Sequence, residues 1–559
     1  MTVSSLARWL PFLKWPRPDA ELLRGEFWAG MTVGLMLVPQ GVAYAALAGM
    51  PLVTGIYASL LPALVAVLWG SSSRLSVGPT ALTSLLIGAS LTGLAEPGSA
   101  QWVALAAWMA LLTGALQLLL GLVRFGWLLN LVTSPVLSGF TQAAALLILA
   151  SQLPALTGLQ APLADLVASP DMQHFDLLGA GMGLGSIAAL VLAKRFWPGF
   201  PAVIVVMGAA ALASRALGYE AGGGAVVGAL PAGLPQPYWP GALPWGTLGA
   251  LIMPVLVITL VSFLETASSA KVEHQEGGTR WNENQDLIAQ GLAKISSGLC
   301  GSFTTSSSFS RSAINLYAGA RTGWATLFAC ALVLVALLWL TPALHHVPQS
   351  VLAAVVVTAI TGLIKPTLLP QLWRISRVEA TIGALTFVVT LAAAPNLYWG
   401  VLAGLVVNLS HFLYQRLHPR IIEVGLHPDG SLRDRHLWHL PPLAPRLLAL
   451  RMDAELDFAS ASALERTLSE RMADFPQFAH VCLFAQPINR IDVTGVETFA
   501  RLMALVQRQG CTLHISGLKL PVEQALERAR VLVPGPHLRT YRTDAEALQA
   551  LQRIDGASV

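Results

Sequence analysis

Between residues 27 and 415 the chain is a succession of apolar runs, most of them long enough to span a bilayer, separated by short turns. In hydrocarbon every backbone N–H and C=O must find a partner inside the protein, so runs of this length specify helices. We read them at about 27–47, 51–70, 78–93, 101–122, 127–152, 176–195, 200–217, 247–270, 284–300, 308–319, 323–341, 347–366, 377–394 and 397–415. The expectation is an all-α membrane domain of about fourteen transmembrane helices. A mean hydropathy of +0.62 and a charged fraction of 11%, against roughly 25% in soluble domains, agree with it.

The charge that remains is unevenly placed. Of the 30 acidic residues, 16 lie in the last 139 positions, 421–559. The chain therefore divides into a cytoplasmic N-terminal segment (1–26), a transmembrane domain (27–417), a linker and start of the tail (418–440) and a polar C-terminal domain (441–559). With the N-terminus inside, Arg74, Arg124, Lys194, Arg195, Lys271, Arg280, Arg321, Lys365, Arg374, Arg377, Arg416 and Arg420 all fall on the inner side. Arg215 is the exception, and Glu96, Asp165, Asp171, Asp176 and Glu220 fall outside. This positive-inside pattern puts both termini in the cytoplasm and the protein in the cytoplasmic membrane.

In the tail, Leu447–Met452, His480–Phe484 and Thr512–Ile515 read as short buried strands. Ser460–Met472, Val496–Val506 and Val522–Ala529 read as amphipathic helices, so the tail is expected to be a small α/β domain. The four cysteines show no ligand or disulfide spacing. No cofactor or metal is expected, and the His345-His346 pair reads as solvated on an outer loop. The net charge of +4 comes without a basic stripe, which argues against nucleic acid as a partner. No nucleophile–base constellation or nucleotide-binding glycine loop suggests an enzyme.

Two of the apolar runs, 78–93 and 308–319, are short and follow small polar residues. They are third and tenth in order, the third of each seven-helix half, and interrupted segments at matching places point to an inverted repeat and its binding site. The second lies in the stretch 305–315, where eight of eleven side chains are polar and Arg311 sits at membrane depth. A charge there costs at least about 2.5–3.5 kcal/mol. An anion is the natural ligand of such an arginine beside hydroxyls. Gly78-Pro79-Thr80 opens one helix and Ser308-Phe309-Ser310-Arg311 the other. Two helix N-termini meeting there would add their dipoles and free N–H groups, with hydroxyls from Thr80, Ser308 and Ser310. Pro39 and Gly41 suggest a break in the first helix that leaves Gln40 as an uncharged donor at depth.

Glu265 is an intramembrane carboxylate and hence a candidate to carry a proton, or to hold a cation with Ser269 one turn on. Lys294 also lies within an apolar run and carries no assigned role. In the tail, either Asp492 or Thr494 is placed to cap a helix, and a hydroxyl at a helix start also suits a phosphate.

These motifs together resemble the SulP family of sulfate permeases and related anion transporters. The stretches carrying the likeness are LVPQGVAYAALAGMPLVTGIYASLLPALVAVLWGSSSRLSVGPTALTSLL, NQDLIAQGLAKISSGLCGSFTTSSSFSRSAIN and, in the tail, IDVTG, which is similar to the family's STAS domain. The resemblance implies a seven-plus-seven inverted repeat with core and gate domains, elevator-like alternating access and a homodimer. It places the anion on Gln40, Tyr44, Thr80, Ser310 and Arg311, and ion coupling on Glu265, where sodium-coupled bicarbonate carriers have Asp. Thr494 matches a hydroxyl that is phosphorylated in anti-sigma antagonists. The leading expectation is proton-coupled symport of sulfate or a related oxyanion or carboxylate. A sodium-coupled bicarbonate or dicarboxylate carrier, an uncoupled channel or exchanger, and a membrane-anchored signalling module stay open on the residues alone.

Overall fold

The computed structural model describes residues 9–158, 176–197, 201–276, 278–533 and 535–556. Asp165 and Asp171, expected in an outer loop, lie outside these residues. Fourteen helices fall on the fourteen apolar runs. They are α1 (Ala20–Leu47), α2 (Val53–Trp69), α3 (Ala81–Leu91), α4 (Ala100–Leu122), α5 (Ser134–Thr157), α6 (Leu177–Phe196), α7 (Ala202–Ala216), α8 (Trp245–Glu276), α9 (Glu283–Gly298), α10 (Phe309–Tyr317), α11 (Trp324–Val335), α12 (Gln349–Thr361), α14 (Arg377–Ala392) and α15 (Tyr398–Leu417). A short helix, α13 (Leu368–Ile375), lies between α12 and α14 where no element was expected. Helical winding continues from α11 through a π-turn, Ala336–Leu340, and a 3-10 turn, Thr341–Leu344. Among the described residues, six helices are long and apolar enough to cross a membrane: α1, α4, α5, α6, α8 and the extended α11.

The third and tenth helices are short, as the sequence indicates. Two-residue strands precede them, β1 (Val77–Gly78) and β2 (Ser306–Ser307), and these pair antiparallel. The first helix departs from expectation, because α1 runs unbroken through Pro39 and Gly41. Gly41 serves close packing instead. A Cβ on Gly41 would lie 2.7 Å from the Gly55 carbonyl oxygen of α2, and one on Gly55 only 1.8 Å from that of Gly41. The backbones touch because neither residue has a side chain. Gly55→Ala should therefore force the pair apart, costing about 3 kcal/mol as overpacking does. Thermal unfolding of detergent-purified protein checks this, and an unchanged midpoint would count against the close contact.

The chain separates into two compact units at Asn408/Leu409. The second contains β3 (Ile421–Leu426), β4 (Leu432–Asp434), β5 (Leu447–Met452), β6 (His480–Phe484), β7 (Thr512–Ser516) and β8 (Leu538–Tyr541), in the order β4-β3-β5-β6-β7-β8. The strands β5 to β8 are parallel, and the β3–β4 hairpin, drawn from the stretch 418–440, adds antiparallel to β5. The helices are α16 (Ala461–Asp474), α17 (Val493–Arg508), α18 (Leu520–Arg528) and α19 (Asp544–Gly556). Alternate residues of β5 face opposite cores. Leu448 and Leu450 pack with Leu464, Phe499 and Leu502, whereas Leu447 and Ala449 pack with Ala547 and Leu551 of α19.

On β7 the buried His514 ring lies 3.0 Å from the Tyr541 hydroxyl and 3.2 Å from His480 Nδ1. Burial first, then His480 and Arg539, push its pKa down to about 4. An unfolded histidine titrates near 6.5, so between those values the unfolded state binds more protons and stability falls on acidification. Hydrogen exchange of the β7 amides, corrected for its intrinsic pH dependence, should speed up as pH drops from about 6.5 to about 4.5. His514→Gln should flatten that slope.

Candidate anion site

The site is built where β1, β2 and the starts of α3 and α10 meet. Thr80 is the N-cap of α3 and its hydroxyl accepts from the Thr83 N–H. Ser308 is the N-cap of α10 and accepts from the Arg311 N–H at 3.5 Å. Apart from these two capped groups, the first-turn N–H groups of both helices have no backbone acceptor within their helices, which is the normal condition of a helix N-terminus.

Five further hydrogen bonds stitch α10 and its N-cap to the stretch 74–79 that leads into α3. The Asn315 side-chain amide donates to the Arg74 carbonyl at 2.8 Å. The Ser76 N–H donates to Ser312 Oγ at 3.0 Å, and the Ser308 N–H to the Ser76 carbonyl at 3.0 Å. Arg311 makes the other two. Its guanidinium is 1% exposed and donates from Nε to Ser76 Oγ at 3.2 Å and from Nη2 to the Pro79 carbonyl at 3.1 Å. A third donation, from Nη1, goes to Gln40 Oε1 of α1 at 3.1 Å. All three acceptors are neutral. Among the described residues no carboxylate forms an ion pair with Arg311. The guanidinium is thus oriented by neutral groups and its charge is left uncompensated by contact.

The second ionisable group is Glu265 on α8. Its Oε2 accepts from the Thr80 hydroxyl at 3.1 Å, which links the carboxylate to the N-cap of α3. Ser306 of β2 donates to the Ser262 carbonyl at 2.8 Å and so fastens the strand crossing to the same helix. Lys294 on α9 is fully buried, and its Nζ has no hydrogen-bond partner among the described residues. Its neighbour Ala293 packs on Val77 of β1 and Ala66 of α2. The Lys294 charge acts on Glu265, as does that of Arg311.

The structure pairs Gln40 with Arg311 and Thr80 with Glu265 by direct hydrogen bonds, and Arg311 also bonds the carbonyl of Pro79, the residue before Thr80. Tyr44 is buried one turn beyond Gln40, within electrostatic reach of both Arg311 and Glu265. Ser308 and Ser310 lie on the open side, 3.3 Å apart, with Ser310 exposed; neither touches the guanidinium. The Ser269 hydroxyl is not turned to the carboxylate and bonds the Glu265 backbone carbonyl at 3.0 Å. In the tail, Asp492 caps α17 by accepting from the Gly495 N–H at 2.8 Å, and Thr494 is exposed on the first turn. Sequence reasoning missed Ser76 and the Pro79 carbonyl, which hold Arg311, and gave Lys294 no part.

The profile of the sulfate permease family matches residues 23–386, about two thirds of the chain. The chain belongs to the sulfate permease family. The STAS domain profile matches residues 442–547. Among sulfate permease relatives, a probable sulfate transporter of Mycobacterium tuberculosis is 30% identical, over 98% of this chain and 99% of that protein. The chloroplastic sulfate transporter 4.1 of Arabidopsis thaliana is 29% identical over 93% of this chain and 78% of its own length. The fold is that of the murine solute carrier 26 family member A9 anion transporter in its inward-facing state, with a TM-score of 0.88 at 20% identity. That likeness covers 99% of this chain and 95% of the murine one. The transmembrane domain of a cyanobacterium bicarbonate transporter matches 70% of this chain with a TM-score of 0.59 at 17% identity. The chain is thus a multi-pass membrane protein of a transporter family, mostly helical with a sheet-bearing STAS domain, and it is not an enzyme.

Proposed function

We propose that this permease is a secondary active anion transporter that carries sulfate, or a related oxyanion or carboxylate, together with a proton. The observation that carries the reading is the buried Arg311 guanidinium, hydrogen-bonded to Gln40, Ser76 and Pro79 but with no carboxylate paired to it among the described residues. An anion between the N-termini of α3 and α10 supplies the missing charge, with first-turn N–H groups and the Ser308, Ser310 and Thr80 hydroxyls as donors. The relatives named as sulfate transporters support sulfate as the first anion to try.

Glu265 is the proposed proton carrier: it is a carboxylate among the membrane-spanning helices, and its hydrogen bond to Thr80 at the N-cap of α3 joins its protonation to the anion site.

The antiparallel meeting of β1 and β2 ahead of two short helices supports a seven-plus-seven inverted repeat of fourteen spans. In this reading a core domain carries the site past a gate domain, elevator-fashion, within a homodimer in the cytoplasmic membrane. Residues 27–417 form the transport domain, 441–559 the STAS domain, and both termini are cytoplasmic. Thr494, exposed beside the start of α17, is the proposed regulatory hydroxyl; phosphate on it in protein isolated from cells, read by mass spectrometry, is the check.

Uptake of labelled sulfate, bicarbonate and fumarate into proteoliposomes, with and without an inward proton gradient, tests the function. Accumulation of one anion only under the gradient is expected. Equal, merely equilibrating uptake in both conditions would make the protein an exchanger or channel.

A further inference from the structure

Glu220, His345 and His346 converge on the surface of the transmembrane unit although 125 residues separate the glutamate from the first histidine. The Glu220 carboxylate oxygens lie 3.1 and 3.2 Å from His345 Nε2, and one of them lies 3.3 Å from His346 Nδ1. One candidate donor atom from each residue falls within 4.8 Å of both others. The two rings meet edge to face with centroids 4.7 Å apart. The side chains are 45%, 32% and 35% exposed, so an ion from solution can reach them.

The backbone beneath them is fixed. The N–H groups of Val227, Gly228 and Gln349 donate to the carbonyls of Val347, His345 and Ala225 at 2.9, 3.0 and 2.9 Å. Val226 and Pro348 form an antiparallel bridge between the same two segments. On the glutamate side, a turn closes from the Gly223 N–H to the Glu220 carbonyl at 3.0 Å and from the Gly224 N–H to the Tyr219 carbonyl at 2.9 Å. All three side chains therefore project from segments that are already hydrogen-bonded to each other, which lowers the ordering cost of ligation.

We propose that Glu220, His345 and His346 form a binding site for a divalent transition-metal ion, with zinc as the first candidate. Two imidazoles and one carboxylate are a ligand set that suits zinc, whereas magnesium and calcium prefer oxygen alone. Ligand atoms on a tetrahedral zinc with bonds of about 2.0–2.1 Å stand roughly 3.3 Å apart. Both carboxylate–imidazole separations already match that spacing. Three protein ligands leave the fourth position to water.

The bound ion would join the segment after α7 to the segment after α11. The first connects α7 to α8 and the second leads into α12, so a metal there ties two connectors together. On the transport reading above, and only for this consequence, zinc slows uptake by resisting movement of those connectors.

Zinc is titrated into the full-length protein in detergent by calorimetry, together with His345→Ala, His346→Ala and Glu220→Gln. One ion per chain with a micromolar or tighter Kd is expected for the wild type. Each substitution should weaken binding by about tenfold or more, the usual loss when a ligand is removed. The three variants lie away from Arg311 and Glu265 and should take up sulfate normally without zinc, and zinc should slow the wild type alone. No saturable binding, or the same Kd in the variants as in the wild type, overturns the site; the three side chains then only bond one another. Site-dependent binding in a protein that takes up no anion at all would leave the metal site standing and remove the transport reading instead.

Discussion

Arg311→Ala should lower sulfate uptake by at least about thirtyfold, since removing a buried, hydrogen-bonded charge from its partner costs about 2–5 kcal/mol. The same substitution strips donors from Gln40 Oε1, Ser76 Oγ and the Pro79 carbonyl. Each acceptor left unpaired costs about 1–3 kcal/mol, so loss of uptake alone would not separate binding from folding. Two further substitutions do. Arg311→Lys keeps the charge, but one ammonium on a flexible stem cannot span three acceptors arranged for a planar fork. We expect an apparent affinity about tenfold weaker, with uptake measurable. Gln40→Glu keeps the acceptor that Arg311 Nη1 uses and adds a negative charge beside it. If Arg311 only fastens α10 to α1 and β1, this change is harmless or stabilising. If Arg311 holds an anion, the new carboxylate neutralises it and uptake falls as far as in Arg311→Ala while the protein stays folded. Initial rates in proteoliposomes, beside thermal unfolding of the same preparations, distinguish the two.

The next largest effect concerns coupling. Glu265→Gln retains an acceptor for the Thr80 hydroxyl, so the start of α3 stays held. What it removes is the negative charge opposite Lys294 and Arg311 and the capacity to gain and lose a proton. The variant is fixed in the charge state that the proposed mechanism reaches only on protonation. Sulfate should bind and exchange across the membrane, but the proton gradient should no longer drive its accumulation. Uptake with the gradient should fall to the level seen without it, while exchange against internal sulfate continues. A variant that still accumulates sulfate under the gradient would take the proton-carrying role away from Glu265.

The parts of this fold that were legible in the sequence are those with a repeating pattern. The long apolar runs became helices because hydrophobic length identifies them. The strands Leu447–Met452 and His480–Phe484 stood out as short apolar stretches, each ahead of an amphipathic helix. Elements without such a pattern were not visible. The strands β1 and β2 have two residues each, too few for alternation to register. In the hairpin, the edge strand β4 has only three half-buried residues, and β3, although Ile422 and Val424 are buried, has only six residues, so the stretch reads as linker.

Pro39 misled for a different reason. A proline in a sequence suggests a break, whereas α1 is continuous through Pro39 in the region where Gly41 packs on Gly55. For the site, Arg311, Glu265 and Gln40 stood out because polar groups at membrane depth are costly. Ser76 did not, because a serine beside three others carries no signal of its own. Its part depends on the pairing of β1 with β2 ahead of α3 and α10, which brings together Ser76 and Arg311, 235 residues apart in sequence. The pairing of Glu220 with His345 and His346 was hidden for the same reason: two loops far apart in sequence meet only in the fold.

The central claim is that an oxyanion binds beside Arg311 at the meeting of the two helix N-termini. Selenate has the shape and charge of sulfate and a selenium atom that scatters anomalously, so crystals grown with it report the anion's position directly. The expected result is one anomalous peak per chain between the first turns of α3 and α10, on the Ser310 side of Arg311 and close enough to hydrogen-bond those helix ends. A peak elsewhere in the transmembrane unit, with this position empty at a selenate concentration that saturates uptake, would contradict it.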